Sequence, residues 1–589
     1  MQTPKEIFLE MLRGGQPERQ LKQYEAFSFY LADPVNGFLR AGRKPGATIV
    51  DKWGVTISWP EDHAGAMPLT EGDLKVIKDI KHWRDYVHVP EISTVTEGWE
   101  AAKAEAHAAA GEDKLVTCFM GTGIFEQCHF LMGFEDALTA FYENTKEMHE
   151  LIECITDYRI EYALKLIDGI EPDVLFTHDD WGAKESMFLP ADMWREFFKE
   201  PYRRFYGAIR ERGVIGIHHA DSYLVPIVED MVEIGIRCWQ GILPENDIPA
   251  VQKQLGGRML LMGGIAAGID RADAEEDEIR SYVSGVLREC CPGGGFIPSI
   301  TYGLAGTVFK HVDPVIDDEI EKYNSILHMP FKAANASPRR IKSDGGGAGL
   351  AGSDDSADGI PASGGAAYEA DGSADNAADT LPLITEAVRK GKKSLTVELC
   401  RRAVEEGVPA EEVLYKGLIR GMNELGQAFS AGDAFVPEML IAAKAMDMAT
   451  EYLRPLLVDG DSTEAIGKVC LGTIKGDRHD IGKNLVKIMM EGCGLDVIDL
   501  GVDVPPERFI EATLENGCDI IACSALLTPC LPNIRRLAEL MREADLKDRV
   551  KLMIGGAPVS QGFCDEIGAD IDTDDAGSAA REAIKALVS

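Results

Sequence analysis

Apolar positions in the carboxyl-terminal part of the chain switch between a strand-like period of two and a helical period. Lys468–Ile474, Leu495–Leu500, Asp519–Ser524 and Val550–Gly556 read as strands, with a weak fifth at Ala569–Ile571. Asn484–Gly492, Pro506–Asn516, Leu531–Ala544, Phe563–Ile567 and Ala576–Val588 read as helices. This alternation predicts a parallel, doubly wound sheet, in which ligands sit beyond the carboxyl ends of the strands. Asp477, His479, Ser524, Thr528, Gly555 and Gly556 all fall at those ends. In Asp477-x-His479-x-x-Gly482 a carboxylate two residues before an imidazole can hold one ring nitrogen and leave the other for a metal. Gly482 removes a Cβ where a bulky cofactor would pass close to the backbone.

Upstream the pattern changes. From Thr385 to Leu457 it is almost all helical, with a helix start at Gly407–Val413 and further runs at Gly417–Gly426, Phe435–Met439 and Ala443–Met446. The methionines here recur at helical spacing, which suits plain core as well as contact with a cofactor. Over roughly residues 1–332, strand-like runs end in polar or glycine residues, with helical stretches between them. Asp173–Thr177 ends in His178-Asp-Asp-Trp-Gly182, and Val214–Ile217 in His218-His219-Ala-Asp221. Ile236–Cys238 ends in Trp239-Gln240, Met259–Met262 in Gly263-Gly264, and Gly295–Pro298 in Ser299-Ile-Thr-Tyr302. Polar groups gathered at strand ends predict a (β/α)8 barrel with its site at the top, although a doubly wound sheet gives a similar local pattern.

Composition separates these units. Between Ser343 and Asp379 the chain is mostly Gly, Ala, Ser and Asp, with Tyr368 the lone aromatic. Such a segment buries too little apolar surface to offset its ordering entropy. It predicts a flexible tether; ~40 residues of random coil span roughly 35 Å, enough to swing one domain into another's site. The expected domains are a barrel at 1–335, the tether at 336–380, a helical unit at 381–460 and a sheet domain at 466–589. At 589 residues and 45% hydrophobic, the chain can bury two or more cores. A net charge of −38 argues against nucleic acid or an anionic membrane as partner. The polar start of the chain and the lack of any run near 18 apolar residues predict a cytoplasmic protein without a membrane span. The 13 cysteines are scattered without zinc-finger spacing and read as reduced thiols.

Three signatures in order, Asp477-x-His479-x-x-Gly482, Ser524-x-Leu526 and Gly555-Gly556, make residues 466–589 resemble the cobalamin-binding domain of methionine synthases, corrinoid proteins and some mutases. The resemblance implies a flavodoxin-like domain holding cobalamin base-off, with His479 as the lower axial cobalt ligand and Asp477 tuning it. Ser524, Gly555 and Gly556 would line the slot for the displaced nucleotide tail, with Leu526 and Thr528 also against the cofactor. Residues 381–460 resemble the four-helix cap over the upper corrin face of methyl-transferring corrinoid proteins, a cap that mutases lack. That places Met422, Glu438, Met439 and Met446 at or near the corrin.

Asp51-Lys-Trp-Gly-Val55, Asp179-Asp-Trp-Gly182, Trp194-Arg-Glu-Phe-Phe198, Met262-Gly-Gly-Ile265 and Pro292-Gly-Gly-Gly-Phe296 look like the uroporphyrinogen decarboxylase superfamily. The similarity is to its branch of methylcobalamin:coenzyme M methyltransferases and corrinoid-dependent demethylases. A barrel followed by a corrinoid protein on one chain is similar to chloromethane:corrinoid methyltransferases. In the coenzyme M branch a zinc ion, held by His-x-Cys and a later Cys, activates the thiol acceptor. Here His218 matches the histidine as a possible zinc ligand, but Ala220 replaces the first cysteine, and Ser299 and Ile300 occupy the later region. A set of N and O ligands from His218, His178, Asp180, His219, Asp221 or Glu126 stays open. So does a metal-free polar pocket with His218, Asp180, His178 and Asp221 as catalytic groups.

The expectation is a corrinoid-dependent methyltransferase that moves a methyl group from an aryl methyl ether or methyl halide onto Co(I) of its own corrinoid domain. It implies a methyl acceptor enzyme using folate or a thiol, and a separate reductive activator of the corrinoid. Three alternatives differ in kind. They are transfer from methylcorrinoid to a thiol or folate, a corrinoid sensor without barrel catalysis, and a decarboxylase with a vestigial second domain. The missing cysteines, the lack of a basic DNA-binding segment and the intact Asp477/His479/Gly482 set count against them in turn.

Overall fold

The computed structural model describes residues 2–61, 65–302, 306–327, 380–430, 432–457, 466–477, 481–525, 530–547, 549–556, 559, 561–573 and 576–588. The expected tether lies outside the described residues, save Thr380. The amino-terminal unit contains β1 (Phe27–Tyr30), β2 (Ala47–Val50), β3 (Thr56–Trp59), β4 (Met67–Leu69), β5 (Leu115–Met120), β6 (Val174–His178), β7 (Ile215–His219), β8 (Cys238–Ile242), β9 (Leu260–Ile265) and β10 (Phe296–Ile300). Seven of these form one parallel sheet in the order β1-β5-β6-β7-β8-β9-β10. Its strands are apolar on both faces, as a sheet covered by helices requires.

Side chains alternate in direction along each strand. Phe27, Leu115, Val174, Phe176, Ile217, Cys238, Leu260, Met262 and Ile297 point inward, where Ile7, Phe8 and Met11 of helix Pro4–Leu12 close the amino-terminal end. Val116, Cys118, Leu175, Trp239 and Leu261 point outward into the layer of helices. The seam between β10 and β1 is bridged by side chains of the segment before β1. Gln20 Nε2 donates to Phe296 O (2.7 Å), Gln23 Oε1 accepts from Ile300 N (3.2 Å) and Tyr24 Oη donates to Tyr302 O (2.5 Å). Strands β2, β3 and β4 form a small antiparallel sheet that periodicity did not predict. The Asp51–Val55 motif is its first turn: Asp51 Oδ1 accepts from Trp53 N and Val55 N (2.9 Å each), and Gly54 supplies φ +86°.

The carboxyl-terminal sheet is β11 (Lys468–Thr473), β12 (Asp496–Asp499), β13 (Ile520–Ser524), β14 (Lys551–Gly555) and β15 (Ile571–Thr573). It is parallel throughout, in the order β12-β11-β13-β14-β15. The weak fifth strand lies two residues later than its apolar pattern suggested, and helix Ile481–Gly492 begins early enough to take Gly482 into its first turn. Cys470, Ile521, Cys523, Leu552 and Ile554 pack one face against Phe509, Ile534, Leu537 and Met541. Val469, Leu471, Ile520, Ala522 and Met553 on the other face share a core with Met490, Ala580 and the preceding helices Thr380–Arg389, Lys393–Glu405, Arg420–Ser430 and Val436–Leu457. No helix among the described residues is long and apolar enough to cross a membrane.

Candidate functional site: a barrel mouth and a corrin slot

The strands of the barrel run further than the apolar runs that announce them. β6 continues through His178, β7 through His219, β8 through Gln240 and β10 through Ser299. Alternation then separates the two adjacent histidines of β7. Ile217 is inward, so His218 turns outward and His219 inward. His218 is fully buried, its ring lies 4.0 Å from that of Trp181, and Nδ1 pairs with Tyr206 Oη (2.8 Å), itself paired with Thr177 Oγ1 (2.7 Å). Burial, then the charge of His178, pushes its pKa down to about 3, so it is neutral. The structure therefore does not bring His218 into the cluster at the mouth. His219 takes that place.

His178 and His219 are register partners with rings 4.6 Å apart. Glu126 holds His178 Nδ1 at 3.1 Å, and Asp180 Oδ2 lies 3.8 Å from Nε2. Asp221, at the rim of the mouth, donates its backbone N–H to Asp180 Oδ1 (3.1 Å). On the other ring, Gln240 Oε1 meets His219 Nδ1 at 2.5 Å, and Gln240 Nε2 is itself fixed by Tyr24 Oη (2.8 Å) and Tyr302 O (3.0 Å). Enclosure opposes a charge on His178, but Glu126 and then Asp180 outweigh it and push its pKa up to about 10. Enclosure raises Glu126 as well, yet His178 overrides it and holds that carboxyl down to about 2. Enclosure lifts Asp180 to about 6, and enclosure with Asp180 lifts Asp221 well above the usual carboxylate range. His219 is pushed well below 6.5 by burial and by His178.

The mouth thus holds one cationic imidazole, one neutral imidazole and three carboxyl groups. His178, Asp180 and His219 each offer a ligand atom, all within 4.8 Å of one another. Glu126 and Gln240 fix the two rings through Nδ1, so Nε2 of His219 is the available atom, and Nε2 of His178 becomes one when a metal ion displaces its proton. This N/O set fits a borderline divalent ion, and Ala220 and Ser299 bring no thiolate to it.

Beneath the cluster lies a residue whose importance the sequence did not signal. The buried carboxylate of Asp179 accepts from Phe125 N (2.9 Å), Glu126 N (2.9 Å), Trp181 Nε1 (3.0 Å) and Tyr202 Oη. It pins the amino end of helix Ile124–Met132, and so the position of Glu126. Only an Asp followed by an aromatic donor two residues on hinted at this.

In the second site Asp477 is buried just past β11, between Ile474 O, which accepts its N–H (3.1 Å), and Asp503 N, which donates to its carbonyl (2.9 Å). Ser524 ends β13 and pairs in register with Thr473 and Gly555. These strands meet where the sheet order reverses, the place where open parallel sheets bind ligands. Gly556 has φ +119°, and a Cβ there would come within 1.9 Å of Ala525 O. Gly482 faces open space, with no described heavy atom within 4 Å of where its Cβ would stand. A bulky planar cofactor fits this arrangement: two glycines keep the slot edge thin, and a third leaves the approach clear. His479, Leu526 and Thr528 lie outside the described residues.

Family models match along the chain: uroporphyrinogen decarboxylase over 47–313, a B12 binding domain over 383–454 and another B12 binding domain over 467–584. A dimethylamine corrinoid protein of Methanosarcina acetivorans is 39% identical over 209 residues, spanning 36% of this chain and 98% of that protein. The chain belongs to the corrinoid protein family of methyltransferase systems. A corrinoid protein of Desulfitobacterium hafniense is 38% identical over 192 residues, 32% of this chain and 89% of that one. Among solved structures, a methyltransferase from Methanosarcina mazei aligns at TM-score 0.41 and 16% identity, over 55% of this chain and 99% of its own. The methanol:cobalamin methyltransferase complex of Methanosarcina barkeri aligns at 0.33 and 26%, over 36% and 80%.

As a corrinoid protein fused to a uroporphyrinogen decarboxylase-like barrel, the chain is a corrinoid-dependent methyltransferase that uses cobalamin. Within its cap, Met422 and Met439 are fully buried and Met446 nearly so, all in the core that the cap shares with the carboxyl-terminal sheet. That burial is what the plain-core reading of these methionines expects. Glu438 caps its helix by accepting from Phe435 N (2.7 Å). Because Gly482 faces open space, Gly482→Leu should leave the melting of the cofactor-free protein within ~0.5 kcal/mol of the parent. The same change should lower cobalamin retention at least ~10-fold, read by equilibrium dialysis, because the side chain enters the cofactor's path.

Proposed function

We propose that the barrel takes a methyl group from a small donor, an aryl methyl ether or a methyl halide, and delivers it to the reduced corrin held by residues 466–589 of the same chain. The observation that carries this reading is the cluster at the mouth, where His178, Asp180 and His219 converge without a thiolate. When bound and reduced, cobalamin supplies a strong nucleophile for a methyl carbon. The barrel's residues then have to manage the leaving group. Glu126 holds His178 with Nε2 toward Asp180, so an acidic proton is available at a fixed atom in the mouth. In the alternative state, with the Nε2 proton of His178 displaced, His178, Asp180 and His219 would hold a divalent ion, which would supply Lewis acidity at a departing oxygen. A mouth without thiolates lacks what a thiol acceptor needs for activation, which favours loading the corrin over unloading it onto a thiol. A folate- or thiol-dependent acceptor enzyme and a reductive activator would complete the cycle.

An anaerobic optical assay tests the proposal. The protein is loaded with hydroxocobalamin and reduced, and donors are added singly while the absorption band of the reduced corrin is followed. The expected result is donor-dependent loss of that band, slowed at least ~100-fold by His178→Ala or Asp180→Asn. If no donor reacts, but protein already carrying a methyl group gives it up to a thiol or a folate, the direction is reversed.

A further inference from the structure

The middle of the helix that follows Glu126's own is buried on every side. In Phe134–Glu143, residues Ala137, Leu138, Thr139, Ala140 and Phe141 are all buried, five successive positions that turn through more than a full circle. A helix on the outside of a barrel ordinarily keeps one face to water. Here the cap helix Val436–Leu457 covers that face. Val436, Leu440 and Lys444 recur at a spacing of four and form one stripe. Leu440 is only 4% exposed and belongs to the barrel's apolar cluster, with Phe435 and Val436 packed beside it. Met439, Ala442 and Met446 on the same helix belong to the core that the cap shares with the carboxyl-terminal sheet. The cap helix is therefore apolar on two faces, one more than its own domain uses.

Charge follows the same line. Lys444 Nζ donates to Thr139 Oγ1 (3.2 Å) and lies 3.9 Å from Asp136, while Lys393 of the neighbouring cap helix lies 2.6 Å from Glu143. In a chain of net charge −38, two lysines set against two carboxylates are a specific complement rather than the average surface. The covered helix continues through Gly133 from Ile124–Met132, whose amino end is held by Asp179 and carries Glu126 into the mouth.

We infer that helix Phe134–Glu143 is a docking ledge for the corrinoid cap, an interaction surface separate from the barrel mouth that takes the Val436/Leu440/Lys444 stripe. The ledge parks the cobalamin domain one helix away from the mouth and raises its effective concentration there. The inference does not depend on the methyl donor or the direction of transfer. Half-exposed rim ion pairs contribute little, so the apolar stripe carries most of the docking and the lysines set its register.

The test uses the full chain, with X-ray scattering for domain separation and amide exchange over residues 134–143. Leu440→Glu places an unpaired charge in the buried patch and should lower the docked population at least ~100-fold, raising the radius of gyration and the exchange rates. Retention of cobalamin shows that the sheet domain is intact, and unchanged helical circular dichroism shows that the cap is still folded. Glu143→Lys should lower the docked-to-free ratio about two- to five-fold, and adding Lys393→Glu should restore it. Unchanged scattering in a Leu440→Glu protein that still holds cobalamin overturns the inference. If Leu440→Glu loses its cobalamin, the charge swap decides: recovery in the double variant supports the ledge, and no recovery overturns it.

Discussion

Asp179→Ala should destabilise the barrel by about 4 kcal/mol, because it strands four buried hydrogen-bond donors at once. Phe125 N, Glu126 N, Trp181 Nε1 and Tyr202 Oη all end on this carboxylate. There is little room for the surroundings to close over the gap: a Cβ on Gly123 would already meet Asp179 Cγ at 2.0 Å, so loop and carboxylate interlock. Asp179→Asn is the milder change, since one amide oxygen keeps the three donors on Oδ2 and only Glu126 N meets an N–H; about 1–2 kcal/mol is expected. All seven tryptophans precede residue 240, so indole fluorescence reports unfolding of the barrel alone. The corrinoid domain, followed by its bound cobalamin, should unfold as in the parent. A shift below ~1 kcal/mol for Asp179→Ala would mean that the four donors find other partners and that Asp179 is not the anchor.

Gly556→Ala should cost the protein its cobalamin by a different route from Gly482→Leu. At φ +119° an L side chain is strained, and the new Cβ would stand 1.9 Å from Ala525 O and 2.8 Å from Ala525 C. Both contacts are backbone, so relief requires the ends of β13 and β14 to part where Ser524 faces Gly555. The expected loss is at least ~10-fold in cobalamin retention together with about 3 kcal/mol of domain stability. Gly482→Leu should lose the cofactor without the stability. If Gly556→Ala binds cobalamin as the parent does, the slot lies elsewhere on the sheet.

The corrinoid half was the more legible part of the chain. Its signature residues sit at strand ends set by short, strongly alternating segments, and Asp477, Ser524, Gly555 and Gly556 fall in the crevice that the strand order predicts. The cap read correctly as helices, and spacing left Met422 and Met439 open between core and cofactor contact, because a core stripe and a cofactor stripe share the same period. In the barrel, the residues that position others were the least visible. Gln240 and Asp179 act through contacts with Tyr24 and Tyr202, 216 and 23 residues away, and no local pattern encodes such pairs.

By itself the sequence determined the alternation of strands and helices in the corrinoid half, the division into barrel and corrinoid units, and the cobalamin signatures, because periodicity and motif spacing are local properties of the chain. Only the tertiary structure decided which of two adjacent histidines serves the mouth. In a strand every side chain reverses direction from its neighbour, so facing depends on register, and register is set by packing across the sheet. With Ile217 inside the barrel, His218 is committed to the helix layer beside Tyr206 and Trp181, and His219 to the cluster with His178 and Asp180. The second apolar face of the cap helix was likewise undecided until Leu440 met the barrel, since a stripe of four-residue spacing does not say which surface will cover it.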